Sequence, residues 1–315
     1  MKALVTGGAG FIGSHLADEL IARGDEVAVL DDLSSGRRGN LASAMSAGAT
    51  LAIIDVTDRQ AVLDMAEAFR PDVIFHLAAQ IDVRRSVTDP AFDARVNIAG
   101  TANVLEAARL SGAERFVLTS TGGAIYGEGD GRPLPLNEDE PALPLSPYGQ
   151  SKLSAEGYVG LYRRLYGLDG VSLRLGNVYG PRQDPHGEAG VVAIFCGKLR
   201  AGEGPAVFGT GEQTRDYIYV VDTVNAFLAA AAGTGPGSFN VGTGREASVL
   251  ELIAILGSAA GRENIEPVFK PARDGEVERI SLNPARATEA FGWRPQTDLV
   301  RGLKSTYDAL AAAAE

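Results

Sequence analysis

The sequence is poor in cysteine and has no excess of positive charge. Its single cysteine, Cys196, excludes an internal disulfide, and no Cys or His lies near it at metal-ligand spacing. We therefore expect a small buried hydrophobic residue there and no metal site. Lysine and arginine number 29 against 40 acidic residues, a net charge of −11, whereas nucleic-acid binding needs a concentrated basic surface. Nucleic acid is not expected as a partner.

Long apolar runs are also lacking. The longest, such as residues 191–196 and 228–232, are far shorter than the roughly 20 residues that span a bilayer. The N-terminus enters a strand-like run at Lys2 without the basic and apolar regions of a signal peptide. We therefore expect no membrane insertion and a cytoplasmic location.

What is present is a regular alternation of short apolar runs and longer helical patterns through the first 175 residues. This alternation is typical of stacked βαβ units around a parallel sheet. Because crossover helices cover both faces of such a sheet, its strands should be apolar almost throughout. Six runs fit, at residues 3–5, 27–30, 51–54, 73–75, 115–118 and 171–173.

After Gly180, glycine and proline separate shorter helices and strands. We predict an α/β protein in which residues 1–180 form a Rossmann-type doubly wound parallel sheet and residues 181–315 form a smaller α/β lobe. A segment at about 217–245 is predicted to return to the first domain.

A glycine-rich loop, TGGAGFIG at residues 6–13, joins the first predicted strand to the first helix. Glycine there allows a tight turn, a close approach to a pyrophosphate and close packing of the helix on the strand. The helix N-terminus then presents unpaired N–H groups to the phosphates. Since a purely structural turn would also use glycine, the loop alone is weak support for dinucleotide binding.

The second predicted strand ends at Asp31, about 20 residues beyond the loop. A carboxylate at this point accepts hydrogen bonds from the adenosine ribose and repels a 2′-phosphate. Loop and carboxylate together predict NAD as the cofactor. Arg37 and Arg38 leave NADP open as the alternative.

Tyr148 and Lys152 lie four residues apart where a helical pattern begins, so their side chains share one helix face. An ammonium close to a phenol favours the phenolate and lowers the pKa of the tyrosine. We therefore predict Tyr148 as a catalytic base and Lys152 as the charge that activates it, which also donates to the nicotinamide ribose. Taken alone, the pair could be surface residues of an amphipathic helix; the glycine loop upstream favours catalysis.

The whole chain resembles the extended short-chain dehydrogenase/reductase family, and within it the nucleotide-sugar 4-epimerases. The glycine loop, Asp31, Tyr148 with Lys152 and segments 55–56, 76–80, 174–183 and 214–217 carry the resemblance. His76 is expected to be a packed strand residue. The resemblance implies a cofactor site made of Gly7, Gly10, Phe11, Ile12, Gly13, Asp31, Asp55, Val56, Leu77, Ala78, Ala79, Gln80, Asn97, Thr119, Tyr148 and Lys152.

The same resemblance implies that the C-terminal lobe holds a UDP-sugar. The planar guanidinium of an arginine can donate two hydrogen bonds to phosphate oxygens. For Arg215, a surface ion pair with Asp216 stays open as the alternative. Arg182 and His186 are expected to shape a loop near the cleft. The implied substrate contacts are Asn177 at the diphosphate, Val207 and Phe208 beside the base, Arg215 and Arg273 on the phosphates, and Glu276 on the uridine ribose.

The family also places a Ser or Thr hydroxyl after the fifth strand. Counting back from Tyr126 reaches Gly122, whereas counting forward from the strand at 116–118 reaches Thr121. The strand end is the firmer reference, because the glycine pair at 122–123 easily absorbs an extra residue. We predict Thr121 as a catalytic and substrate-binding residue, with Ser120 as the alternative.

The implied reaction inverts C4 of UDP-glucose or UDP-galactose through a transient 4-keto sugar and NADH. A nucleotide-sugar 4,6-dehydratase needs a further acid and base, which Gly122 and Gly123 do not offer. A bulky Ile280 is expected to hinder an N-acetyl group. The alternatives are a UDP-glucuronate or UDP-N-acetylglucosamine 4-epimerase, a dehydratase, and a non-catalytic NAD-binding sensor.

The resemblance also implies an assembly. Helix faces at residues 91–110 and 151–165 are rich in alanine and leucine, and members of the family pair through the same helices. We therefore expect a two-fold homodimer.

Overall fold

The computed structural model describes residues 1–127, 131–185, 190–262, 265–272 and 277–312. Arg273, Glu276 and His186, named above as expected site or loop residues, lie outside them. The first half of the chain alternates strands and helices, in the order β1 (Lys2–Thr6), α1 (Phe11–Ala22), β2 (Glu26–Asp31), α2 (Ala42–Ser46), β3 (Thr50–Ile53), α3 (Arg59–Phe69), β4 (Val73–His76), α4 (Val83–Thr88), α5 (Pro90–Ala94), α6 (Thr101–Ser111), β5 (Arg115–Thr121), α7 (Gly122–Ile125), α8 (Pro147–Tyr166) and β6 (Asp169–Leu175).

A 3-10 turn at Arg38–Leu41 precedes α2, and a π-helical segment at Arg95–Gly100 joins α5 to α6. The second half has shorter strands. Its elements are β7 (Asn177–Tyr179), α9 (Val191–Arg200), β8 (Ala206–Phe208), β9 (Thr214–Arg215), β10 (Tyr217–Tyr219), α10 (Val220–Ala232), β11 (Gly237–Val241), β12 (Ala247–Ser248), α11 (Val249–Ala259), β13 (Val268–Lys270), α12 (Ala285–Phe291) and α13 (Leu299–Ala312).

The main sheet has seven strands in the order β11-β6-β5-β4-β1-β2-β3, and all of its pairings are parallel. This is the doubly wound arrangement, and the six predicted strands are all in it. The order reverses between β1 and β4, so the loops after these two strands open a crevice at the carboxyl edge. The seventh strand, β11, follows α10, which packs against α1.

Two apolar clusters cover the two faces of this sheet. The expected burial of the strands on both faces therefore holds for the central ones, whereas β3 at the edge leaves Ile53 62% exposed. An edge strand has one neighbour and less cover, which local sequence does not reveal. Polar side chains also lie buried in the strands, among them His76 and Arg174.

The helix α8 carries the predicted catalytic pair in its first two turns. Ser146 is its N-cap and accepts a hydrogen bond from the Gly149 backbone N–H at 3.1 Å, and Pro147 occupies the first turn. Gly149 has no room for a side chain, because a Cβ there would collide with the Ala124 carbonyl. The start of α8 is therefore held tightly against α7.

Three small two-stranded pairings, β10-β7, β12-β9 and β13-β8, lie outside the main sheet, and a third apolar cluster packs beside them. This cluster includes Phe195, Leu252 and Leu303 together with Cys196, which is fully buried. Burial raises the pKa of that thiol to about 12. Within the described ranges, no helix combines the length and apolar character that crossing a membrane requires.

Candidate active site

The glycine loop between β1 and α1 is shaped by close backbone contacts. Gly7 has φ +69°, and a Cβ there would come 2.6 Å from the Ala78 backbone nitrogen. A Cβ at Gly13 would collide with the Gly7 carbonyl oxygen. The helix N-cap, Gly10, has no side chain to cap the first N–H groups. The loop backbone therefore packs against the end of β4 without intervening side chains. The uncapped N–H groups at the start of α1 are left to bind a phosphate.

Asp31 at the end of β2 is tied to this loop. One of its carboxylate oxygens accepts a hydrogen bond from the Ala9 N–H at 2.9 Å, and the other from the Leu33 N–H at 2.8 Å. Burial raises the pKa of this carboxyl. Arg37 forms an ion pair with Asp184 at 2.7 Å, so a 2′-phosphate would have to compete with that carboxylate. The geometry favours NAD over NADP.

Most of the other residues expected at the cofactor lie after β3 and β4. Val56 is buried and Asp55 exposed, while Leu77, Ala78 and Ala79 are half-buried. His76 itself is enclosed, with Nδ1 at 2.7 Å from the Thr6 hydroxyl and Nε2 at 3.0 Å from the Thr101 hydroxyl. Burial lowers its pKa to about 3. The ring is a neutral packing group, as the sequence predicted.

Tyr148 and Thr121 are brought together by α8 and β5. The Thr121 side chain lies next to the phenol, where hydrogen bonding from it lowers the pKa of Tyr148. Burial acts in the opposite direction and is stronger, so the pKa of Tyr148 rises to about 12. The sequence predicted that Lys152 would lower this pKa. That prediction is wrong in direction, because the desolvation of the buried phenol dominates.

Lys152 is 4% exposed and donates a hydrogen bond from Nζ to the Thr119 carbonyl oxygen at 3.0 Å. Burial lowers its pKa to about 8, while Asp93 and Glu156 oppose that shift. The hydroxyl oxygen of Thr119 is buried and has no hydrogen-bond partner among the described residues. Two further ammonium donors and this hydroxyl can therefore serve a ligand.

Ser120 and Thr121 point to opposite sides of β5, as neighbouring strand residues do. The Ser120 hydroxyl donates to Glu156 Oε1 at 2.6 Å, away from Tyr148. Thr121 is thus the hydroxyl that the structure places beside the phenol. The glycine pair that follows begins α7 directly at the strand end.

Asn97 and Gln80 form a buried amide pair beside α8. The Asn97 side chain accepts a hydrogen bond from the Gln80 N–H at 2.9 Å and donates to Ser151 Oγ at 3.1 Å. Both side chains also donate to Asp93, which the sequence analysis missed. The four-residue spacing of Asp93 and Asn97, which places both on one helix face, could have indicated this contact. Asn97 lies in the π-helical segment, a distortion frequent at functional sites.

The residues expected at the substrate differ in how deeply they are buried. Asn177 begins β7, with Oδ1 close to Gly123. Val207 is buried in an apolar cluster, whereas Phe208 is half-buried. Arg215 is half-buried and donates to the Thr214 carbonyl at 2.8 Å. Asp216 is 1% exposed and accepts from Thr243, Gly244 and Leu282, so it does not form a surface ion pair.

Two further expectations concern residues around the cleft. Ile280 is 1% exposed and packs with Ile125, Tyr126 and Leu136. The prediction that its side chain restricts the sugar pocket is therefore wrong, since it presents almost no surface to the cleft. Arg182 is held by Asp18 at 2.6 Å, which suits the predicted loop-shaping role.

Comparison with known proteins agrees with this geometry. The sequence model of the NAD dependent epimerase/dehydratase family matches residues 3–242. The chain belongs to this family.

Among individual proteins, the chain is 50% identical to a UDP-glucose 4-epimerase of Mycolicibacterium smegmatis, over 98% of each chain. It superposes with a TM-score of 0.96 on a UDP-glucose 4-epimerase of Thermotoga maritima with UDP-glucose, 45% identical over 100% of both chains. The Thermus thermophilus UDP-glucose 4-epimerase in complex with NAD gives a TM-score of 0.91 at 43% identity, covering 99% of this chain and 100% of that one.

The residues present fit NAD. Side chains at Gly7 and Gly13 would fill the space where the loop is bare, Asp31 is fixed beside that loop, and the buried Thr119 hydroxyl is unpaired within the described chain. The loop would hold the pyrophosphate, Asp31 the adenosine ribose, and Lys152 with Thr119 the nicotinamide end. NAD, when bound, accepts a hydride from the substrate carbon and returns it.

Proposed function

We propose that the chain interconverts UDP-glucose and UDP-galactose by inverting C4 of the sugar, with NAD as its cofactor. The observation that carries the proposal is the placement of the Tyr148 phenol next to Thr121, on the same helix as the buried ammonium of Lys152. These groups lie at the carboxyl edge of the sheet, where the glycine loop also lies. The three relatives described above carry the UDP-glucose 4-epimerase name.

In this mechanism the protein moves one proton at the sugar 4-hydroxyl. Thr121 accepts a hydrogen bond from that hydroxyl and passes its own proton to Tyr148 in its phenolate form, which is the minor form at neutral pH because burial raises this pKa to about 12. Lys152 keeps a positive charge next to the reacting groups and is held by the Thr119 carbonyl. C4 is inverted when a transient 4-keto sugar presents its other face to the returning hydride, while the proton goes back to the C4 oxygen by the same route.

The glycine pair after Thr121 argues against dehydration. A Cβ at Gly122 would collide with the Leu282 side chain, so an acidic side chain there would have to displace Leu282. At Gly123 a Cβ would lie 3.4 Å from Asn177 Oδ1 and 3.9 Å from the Thr121 hydroxyl. The glycine there keeps the site open and supplies no acid or base. Neither of these two positions supplies the acid and base that elimination of water across C5 and C6 needs.

Incubation of the purified protein with UDP-galactose tests the proposal, with product analysis by NMR. UDP-glucose is the expected product. A 4-keto-6-deoxy sugar would instead indicate a dehydratase, and the absence of any conversion would contradict an enzymatic role.

The preference for glucose and galactose over their N-acetyl forms rests on these relatives, since Ile280 is buried. We expect faster turnover of UDP-galactose than of UDP-N-acetylgalactosamine. Equal kcat/KM values for the two would refute this preference. UDP-glucuronate, offered in the same assay, is expected to react more slowly than UDP-glucose.

We further propose that the chain forms a homodimer through the α6/α8 patch, which consists of Leu110, Tyr158, Leu165 and Tyr166. These large side chains are 39% to 60% exposed, and those on α8 recur at helical spacing. Sedimentation velocity should show a dimer that Leu165→Glu dissociates, whereas Val300→Glu on α13 should leave it intact. A monomeric wild type would refute the assembly.

The cytoplasmic location stays a prediction that cell fractionation would check.

A further inference from the structure

Asp93 is a buried carboxylate that the reaction above does not use. It lies in α5 and is 1% exposed. Its Oδ1 atom accepts hydrogen bonds from the side-chain amides of Gln80 at 2.9 Å and Asn97 at 3.1 Å. Its Oδ2 atom is buried without a hydrogen-bond partner in the described part of the chain. Such a group costs stability when it is ionised, which points to a role other than holding the fold.

The charge of Asp93 acts on the catalytic pair, because α5 packs against α8. Two carboxylates, Asp93 and Glu156, favour the charged form of Lys152. Glu156 is already neutralised by Arg174, whose Nη2 lies 2.8 Å from it in a buried ion pair. The contacts described for Asp93 are neutral amides, so its negative charge is left to balance Lys152.

The other charged or titratable groups around α8 do not balance the charge of Lys152. His76 is neutral, because its pKa is about 3. Glu106 and Arg109 on α6 form their own pair at 2.7 Å, and Arg115 on β5 pairs with Asp169 on β6. The arginines on α4 and in the π-helical segment lie at exposed positions: Arg84, Arg85 and Arg95.

We propose that Asp93 is a positioning residue whose carboxylate is the buried counter-charge of Lys152. Through Gln80 and Asn97 it also fixes the segment after β4 relative to α8. The amide of Asn97 extends this link to Ser151 on α8 at 3.1 Å, one residue before Lys152. This inference rests on the proposed function, in which Lys152 and Tyr148 are the reacting pair.

A negative charge raises the pKa of every neighbouring group, whether that group is a cation or a phenol. Asp93 acts in this direction on both Lys152 and Tyr148. Its removal must therefore lower both pKa values together. In a pH–rate profile, both limbs should move to lower pH by about half a unit or more. A residue that only supports the fold would change the height of the profile and leave its limbs in place.

The test compares Asp93→Asn with Asp64→Asn in the enzyme as purified with NAD. Asn at position 93 keeps the oxygen that accepts from Gln80 and Asn97 and removes the charge, whereas Asp64 is exposed on α3. The first measurement is the ultraviolet absorbance titration of the Tyr148 phenolate, isolated by subtracting the matching Tyr148→Phe protein. Asp93→Asn should lower its midpoint by about half a pH unit or more, and Asp64→Asn should not.

The second measurement is the pH–rate profile with UDP-galactose, in which both limbs should shift with Asp93→Asn. Asp93→Glu keeps the charge and should restore the wild-type midpoint. A lower rate with unchanged limbs and midpoint would overturn the proposal, as would an Asp93→Asn protein that unfolds while Asp93→Glu fails to restore the midpoint. If the midpoint shifts while the wild type does not convert UDP-galactose, the charge assignment stands and the proposed function fails.

Discussion

Two buried polar clusters lie along α8 and the end of β5, and they are bonded very differently. The Glu156 cluster consists of Ser120, Tyr126, Glu156, Arg174, Ser238 and Asn240. In it, Glu156 accepts hydrogen bonds from Ser120 at 2.6 Å, Ser238 at 2.8 Å and Arg174. Arg174 also donates to Tyr126 at 2.9 Å, and Tyr126 donates to Asn240 at 2.8 Å. The charges and hydroxyls of this cluster are satisfied by the protein itself.

The Lys152 cluster, made of Asp93, Thr119, Thr121, Tyr148 and Lys152, is incompletely bonded. Asp93 Oδ2 and the Thr119 hydroxyl are buried without partners in the described residues, and burial displaces the pKa values of Tyr148 and Lys152 to about 12 and about 8. Buried polar groups are normally satisfied, and two unsatisfied ones next to two displaced pKa values are typical of a reactive site. The comparison therefore separates a cluster that stabilises the fold from one that reacts.

The comparison is tested most strongly by Tyr148→Phe. Loss of the phenol should lower kcat about 10³-fold, since the proton acceptor is removed, while the free energy of unfolding changes little. Initial rates with UDP-galactose and urea unfolding measure the two quantities. Tyr307→Phe on α13 is the matched control and should leave both unchanged. A Tyr148→Phe enzyme that keeps a tenth or more of its activity would contradict the assigned role.

In the Glu156 cluster the opposite pattern is expected. Arg174→Met leaves the Glu156 carboxylate buried and unpaired, which should lower the free energy of unfolding by about 3–5 kcal/mol. The folded enzyme should keep its turnover to within about tenfold, because the contacts of Arg174 are with Glu156 and Tyr126. The double variant Glu156→Gln with Arg174→Met should recover part of the stability. A loss below about 1 kcal/mol for Arg174→Met would show that this pair is not the stabilising one.

The sequence predicts the reactive cluster better than the stabilising one for a physical reason. The glycine loop and the pairing of Tyr148 with Lys152 are local patterns, so spacing reveals them. The contacts of Glu156 join residues 18 to 82 positions away, and no local pattern indicates them. The pKa of Tyr148 was predicted in the wrong direction because desolvation depends on tertiary packing. Ile280 was placed at the cleft for the same reason, and its burial was not visible in the sequence.

Thr121→Ala and Ser120→Ala sharpen the comparison at adjacent positions. Thr121→Ala should lower kcat about 10²-fold, because the proton then has no hydroxyl through which to reach Tyr148. Ser120→Ala should leave kcat within severalfold and lower the free energy of unfolding by about 1–3 kcal/mol, since Glu156 loses a buried donor. Rates and urea unfolding of both variants decide between them. The reverse outcome would exchange the roles of the two hydroxyls and restore Ser120 as the catalytic one.

The smallest expected effect belongs to Thr119→Val, which removes a buried hydroxyl without a described partner. Its unfolding temperature should stay the same or rise slightly, because the protein loses no hydrogen bond of its own. The affinity for NAD should fall about tenfold if the hydroxyl binds the cofactor, as followed by fluorescence titration. Thr101→Val is the matched control, since Thr101 bonds to His76 and to the Asn97 carbonyl and should destabilise the fold. Were Thr119→Val to lose stability and keep its NAD affinity, Thr119 would belong with the stabilising groups.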